Sequence, residues 1–300
     1  MNGQKEPQTR IMSEKPILAR TAGHINRRAI WSRVAIFACY TAGATVVLPL
    51  ALIMWHLVAK GLHGLSLSFF TELPKPVGEP GGGMANAIVG TLILVGLGAL
   101  FAVPVGVGAG VYLAEFGRGR FSTLVRYTAD LLGGVPSIVV GVAAYGLVVL
   151  PMGGFSALAG GLALGILMLP TIIRSTEEVV RLVPQSYREA ALALGAPRWK
   201  VTQQVVIPAA RAGIVTASML AVARAAGETA PLLFTALGNR FWSTALDKPI
   251  ASLPVLVFDY ARAPYDDWNQ QAWTGALVLV MMVTLISAVL RITVRRVVPR

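Results

Sequence analysis

Six apolar runs, each about 20 residues or longer, leave this chain few ways to fold in water. They lie at about 34–58, 85–114, 124–150, 155–174, 209–237 and 272–294. A helix rises ~1.5 Å per residue, so each run can cross a hydrocarbon layer ~30 Å thick. Several are longer than a crossing needs, which predicts tilt or extension beyond the bilayer. Inside that layer each segment must satisfy its own backbone N–H and C=O groups, and this selects helices. With 55% hydrophobic and 13% charged residues, the composition agrees. The expected fold class is an all-α polytopic membrane protein with six transmembrane helices.

A formal net charge of +12 raises the question of nucleic acid, and the placement of the charge answers it. Segments 1–33, 115–126, 174–211 and 291–300 hold 7, 3, 6 and 4 of the 26 Lys and Arg residues. Segments 59–84 and 238–271 hold only Lys60, Lys75, Arg240, Lys248 and Arg262, and Arg224 lies within a span. With six crossings the rich segments all fall on one side, and the positive-inside rule puts both termini in the cytoplasm. The basicity reports topology, and no nucleic-acid partner is expected.

Residues 1–33 read as a flexible cytoplasmic tail, 34–58 as the first transmembrane helix and an uncleaved anchor, and 295–300 as a second short tail. Residues 59–84, rich in Gly and Pro, form an outer loop of extended or turn structure. Residues 85–294 form the core. Gly90, Gly96, Gly98, Gly106, Gly108 and Gly110 in the second span, with Gly161 and Gly165 in the fourth, suit close helix approach in lipid. The lone Cys39 excludes an internal disulfide, and His24, His56 and His63 lack ligand spacing, so no metal is assigned.

Between the fourth and fifth runs, residues 186–208 read as a helix-turn-helix held at the cytoplasmic surface. Ser186 and Glu189 have capping-box spacing, Gly195 can adopt the left-handed conformation that ends a helix, and Pro197 suits the next first turn. Such an element is a docking surface for a cytoplasmic protein. A DNA-reading helix-turn-helix is the rival, but one pinned between two spans could hardly reach a major groove.

Arg224 and Glu228 stand inside the fifth run. Thirteen residues beyond Arg211, Arg224 lies roughly 20 Å along the helix, near the bilayer middle. Placing Arg there costs ~2.5–3.5 kcal/mol on insertion scales, so compensation is expected. A spacing of four predicts that Arg224 and Glu228 share a face and pair. Pro231 should kink or break the helix beside them. A guanidinium fork fits two oxygens of a tetrahedral oxyanion, so a substrate site is one reading and a structural ion pair the other. In the third run, Gly133-Gly134-Val135-Pro136-Ser137 should weaken the helix, either to line a cavity or as a packing kink. Arg174 serves either as a helix-end anchor or as a second anion contact, and Asp130 is expected to partner Arg126, one turn before it.

Glu189-Ala190-Ala191, Gly195 and Val205-Val206-Ile207-Pro208 resemble the EAA loop of the membrane subunits of bacterial ABC importers. Gly227-Glu228-Thr229-Ala230-Pro231-Leu232-Leu233-Phe234, Pro136-Ser137-Ile138-Val139-Val140-Gly141 and Ser252-Leu253-Pro254-Val255 resemble the phosphate permeases of the PstA type. That resemblance implies an ABC transporter type-1 transmembrane domain in the bacterial inner membrane. It implies a permease subunit for inorganic phosphate, with Glu189, Ala190, Ala191, Gly195 and Pro208 coupling to an ATPase. Arg224 is implicated in phosphate passage, with Glu228 and Arg174 as weaker candidates. The implied partners are the sister permease PstC, a dimer of the ATPase PstB, the periplasmic phosphate-binding protein PstS, and membrane lipid. No Walker A sequence occurs, so this subunit is not expected to be an enzyme; ATP and Mg would be bound by the partner ATPase. An ion-gradient-driven anion carrier or channel is the alternative. The loop at 238–271, with Phe241, Trp242, Phe258, Tyr260, Tyr265 and Trp268, reads as a headgroup anchor or a docking face.

Overall fold

A computed structural model describes residues 15–79 and 81–297, and helices dominate it. The chain divides into two compact units, residues 1–56 and 57–300. Helix α1, Lys15–His63, begins in the first and ends in the second. The irregular tail expected at 1–33 is therefore helical from Lys15 onward; residues 1–14 of it lie outside the described residues. Pro16 stands in the first turn, where its missing N–H costs nothing, and no second proline intervenes before Pro49.

In the second unit the C-terminal turns of α1 pack on the last helix, α13, Asp266–Val297. Thr274 Oγ1 donates to the Gly61 carbonyl at 3.1 Å and Gln270 Nε2 to that of Lys60 at 2.7 Å. Helix α13 continues through Val297 into the tail expected at 295–300; residues 298–300 of that tail lie outside the described residues. The outer loop holds a short helix α2, Leu67–Thr71, whose Ser66 cap accepts from Phe69 N. Phe69 and Met84 enter a core with Tyr260 and Leu253, so this loop is tied down at both ends.

Helices α3, Ala85–Glu115, and α7, Ala157–Arg181, form the central contact. A Cβ on Gly98 would lie 3.0 Å from the Gly161 carbonyl, one on Gly106 2.7 Å from Ile172, and one on Gly110 2.6 Å from Thr176. The partners advance together along both helices, so the two run parallel. Gly90 serves another approach, against the Ala251 carbonyl, whereas Gly96 and Gly108 face open space.

Parallel neighbours require the intervening chain to return through the same thickness. That chain comprises α4, Arg120–Gly134; α5, Ser137–Ala144; a wide π-type turn, Tyr145–Val149; and α6, Leu150–Met152. It is bent by 107° at Val135-Pro136, as the sequence there predicts. With the five long apolar helices, this broken passage brings the candidate crossings among the described residues to six when it is counted as one span.

The fifth long apolar stretch is one helical run, Arg198–Ala226. It comprises α9, Arg198–Val201, a second wide turn at Thr202–Val206, and α10, Ile207–Ala226. Each wide turn stops two residues before a proline, Pro151 or Pro208, where the ring would crowd the carbonyl four residues back. Helix α8, Gln185–Ala193, precedes this run. Beyond it come α11, Ala230–Thr235, and α12, Leu253–Ala261. On α12, Tyr260 stacks on Trp268 at 4.4 Å, and burial pushes its hydroxyl above the ordinary range. Tyr260 is therefore core, while Phe241 and Trp242 stay exposed.

The glycine seam yields a paired test. Gly110→Leu should destabilise the chain by about 1–3 kcal/mol through overpacking against Thr176 and the Ile173 carbonyl. Gly108→Leu, two residues away, meets nothing within 4 Å and should leave the thermal midpoint of the detergent-solubilised chain near wild type.

Candidate functional site

Two helix breaks meet at one cavity of about 230 Å³. Leu132 to Ser137, the break between α4 and α5, form one wall; Leu167, Pro170 and Thr171 of α7 form another. Ala221, Arg224 and Ala225 of α10 and Glu228 just beyond complete it. Val135 and Pro136 take extended backbone angles, so a fresh helix N-terminus starts at the wall. The first N–H groups of a helix lack intrahelical partners and carry partial positive charge, which favours an anion. Discontinuous backbone in a membrane is tolerated where it lines such a cavity.

The second break ends α10. Gly227 caps the helix, and the N–H groups of Gly227 and Glu228 reach only three residues back, to Arg224 at 3.2 Å and Ala225 at 3.1 Å. Pro231 opens α11, having no N–H to offer the Gly227 carbonyl. The breaks support each other, since a Cβ on Gly141 of α5 would stand 2.6 Å from Pro231 Cα.

This geometry corrects one expectation. Arg224 and Glu228 do not form an ion pair: the helix stops at Ala226, so a spacing of four no longer places them one turn apart. Both line the cavity instead. Arg224 occupies the last turn of α10, where a cation is favoured by the helix dipole. Its depth follows from packing. Gly213 meets Val179, and Ala221 and Arg224 share the cavity with Leu167 to Thr171, so α10 runs antiparallel to α7. Leu167 lies ten residues into α7, so Arg224 sits ~15 Å from one end of a helix ~37 Å long.

Arg174 is not in the cavity. Its Nε binds Asp130 Oδ1 at 2.9 Å and its Nη1 binds Glu177 Oε2 at 3.0 Å. Asp130 therefore partners Arg174 rather than Arg126. Arg126 binds Glu177 Oε1 at 2.7 Å and the Leu113 carbonyl at 2.9 Å, and Arg181 reaches Glu177 at 2.6 Å. Glu177, with its side chain 3% exposed, thus holds three guanidiniums from α4 and α7 beneath the cavity. The sequence gives a signal for Arg174 and Arg181, at i−3 and i+4 from Glu177; nothing local marks Arg126, 51 residues away.

The helix-turn-helix expected at residues 186–208 also departs from expectation in its details. Pro184 caps α8, with no side-chain bond, so Ser186 lies inside the first turn and the capping box does not form. Gly195 does take the left-handed conformation, with φ 81°, and Pro197 is the residue before α9. Glu189 and Ala190 are exposed, Ala191 packs inward, and Pro208 opens α10 after the wide turn. Arg188 on the same helix grips Glu115 at 2.6 Å and the Val180 carbonyl at 3.0 Å, a clamp to α3 that sequence spacing could not reveal.

The profile of the family described as "Binding-protein-dependent transport system inner membrane component" matches residues 106–300. A "Phosphate transport system permease protein PstA" of Yersinia pestis is 45% identical over 253 residues, covering 83% of this chain and 86% of that protein. The chain belongs to the PstA family. A member from Xylella fastidiosa is 48% identical over 233 residues, covering 77% and 81%, and PstA 1 of Mycobacterium tuberculosis is 38% identical over 268, covering 87% and 86%. Among solved structures, the MetNI methionine ABC transporter in an inward-facing conformation matches with a TM-score of 0.59 at 20% identity, covering 72% of this chain and 98% of that one. That likeness shows the fold, an ABC type-1 transmembrane domain. PstA-family membership makes the chain a multi-pass inner-membrane transport subunit.

The Glu177 cluster carries a prediction of its own. Breaking a fully buried pair costs ~3–5 kcal/mol, and the partly exposed guanidiniums here reduce that by screening. Glu177→Gln should still lower the thermal midpoint clearly more than Asp130→Asn, whose carboxylate is 56% exposed.

Proposed function

We propose that this chain is the permease subunit of an ATP-driven inorganic phosphate importer. The observation that carries the reading is Arg224: a guanidinium with no carboxylate partner among the described residues, near mid-depth, in a cavity built from two broken helices. Its planar donors suit two oxygens of a tetrahedral oxyanion. The N-terminus of α5 adds positive potential on the facing wall. The names of the PstA-family relatives supply phosphate as the oxyanion.

Glu228 shares the cavity, and its carboxylate competes with phosphate for the guanidinium, which keeps residence short. Arg174 would serve as a second contact only by leaving Asp130. The basic ends of α3 and α7, with α8, face the cytoplasm by the positive-inside rule, and six crossings then return both termini to that side. ATP and Mg belong to a separate ATPase, a PstB dimer, which the α8–α9 element meets. The pathway is completed by PstC, and phosphate is delivered by PstS. Closure of the ATPase dimer would push on α8, and the Arg188–Glu115 clamp would carry that push to α3.

Uptake of phosphate into ATP-loaded vesicles should require every partner and fall at least ~100-fold in Arg224→Gln, with Arg224→Lys intermediate because a point charge replaces the fork. Uptake by this chain alone, or on a proton gradient without ATP, would overturn the reading in favour of a carrier. Glu228→Gln should alter phosphate affinity or transport rate; no change in either would remove its proposed role. Gly195→Leu forces a left-handed side chain, costing ~1–2 kcal/mol locally, and should cut co-purification of the ATPase while insertion persists.

A further inference from the structure

A second polar cavity, about 300 Å³, lies at the basic end of the fold and shares no residue with the Arg224 cavity. Its walls are the end of α3 and the loop after it (Glu115, Phe116, Arg118), the end of α7 (Arg181), the inner face of α8 (Arg188) and the start of the next helical run (Arg198). Four guanidiniums therefore surround one space against a single lining carboxylate, Glu115. Arg188 is satisfied by Glu115 and two carbonyls, and Arg181 by Glu177. Arg118 and Arg198 form no ion pair with any described residue. Their charge has no ionic counterpart among the described residues.

Converging guanidiniums repel one another, and the cheapest relief is an anion between them. The planar donor forks of Arg favour oxygens of a phosphate group over a halide. Space is not limiting, since a single water needs only ~10–15 Å³ by this kind of measure. We infer that this cavity is a second anion site, specific for a phosphate group and separate from the transport site. A phosphate bound there would tie the α3–α4 loop to the α8–α9 element, because Arg118 comes from one and Arg198 from the other. It would thereby fix the coupling element against the core. Free cytoplasmic phosphate and the headgroup of an anionic lipid at the membrane surface offer the same chemistry.

The test keeps Arg224→Gln in every sample, so the membrane cavity contributes nothing. The transporter assembled without PstS, whose own phosphate binding would mask the signal, is compared with and without the added pair Arg118→Gln and Arg198→Gln. In phosphatidylcholine nanodiscs, equilibrium dialysis with radiolabelled inorganic phosphate should show a saturable component whose affinity falls at least about tenfold when the pair is added. In nanodiscs mixing phosphatidylcholine with phosphatidylglycerol, native mass spectrometry should show phosphatidylglycerol retained and then lost on adding the pair. The first result names free phosphate as the ligand and the second names a lipid headgroup. Absence of both effects overturns the site. Should the double substitution prevent assembly, Arg118→Gln alone, on an exposed loop residue, decides by the same two readouts.

Discussion

The seam between α3 and α7 is the contact on which the rest of the molecule depends. Glycines at 98, 106, 110, 161 and 165 let two backbones approach where any Cβ would collide. In lipid the hydrophobic effect does not press helices together, so close van der Waals contact must do so. Because these helices run parallel, the chain between them has to come back across the membrane. The broken passage through α4, α5 and α6 is that return. Its break at Val135-Pro136 then faces α7 at Pro170 and Thr171, and the cavity exists because the seam holds α7 there.

Polar groups at depth follow a consistent division. The charged groups beneath the cavity engage one another: Glu177 is held by three guanidiniums, and Arg126 by Glu177 and the Leu113 carbonyl. Those lining the cavity, Arg224 and Glu228, have no ionic partner among the described residues. An arginine at mid-depth without compensation is costly, and the helix end under it offsets only part of that cost. On the proposed reading such a residue serves an anion that comes and goes, whereas the Glu177 cluster braces the surrounding helices.

The proposed force transmission would have an equally local basis. Helix α8 projects Glu189 and Ala190 outward while Arg188 grips Glu115 and two carbonyls behind it. Movement of α8 is therefore movement of the ends of α3 and α7. The wide turn at Thr202–Val206 lies between this element and α10, the helix that carries Arg224.

The sequence by itself determined whatever depends on local rules. Run length set as many as six candidate crossings, Pro136 and Pro231 marked both breaks, Gly195 marked the turn, and quoted motifs pointed to the family. Local rules also misled where the chain ended a helix early: the four-residue spacing of Arg224 and Glu228 means a shared face only if the helix continues, and it stops at Ala226. The capping box failed similarly, because Pro184 starts α8 before Ser186 can cap it. Only tertiary structure paired Arg174 with Asp130, brought Arg126 to Glu177 and Arg188 to Glu115, and joined two breaks 90-odd residues apart into one cavity. Those partners are set by which helices touch, through packing of small residues whose register no spacing along one helix encodes.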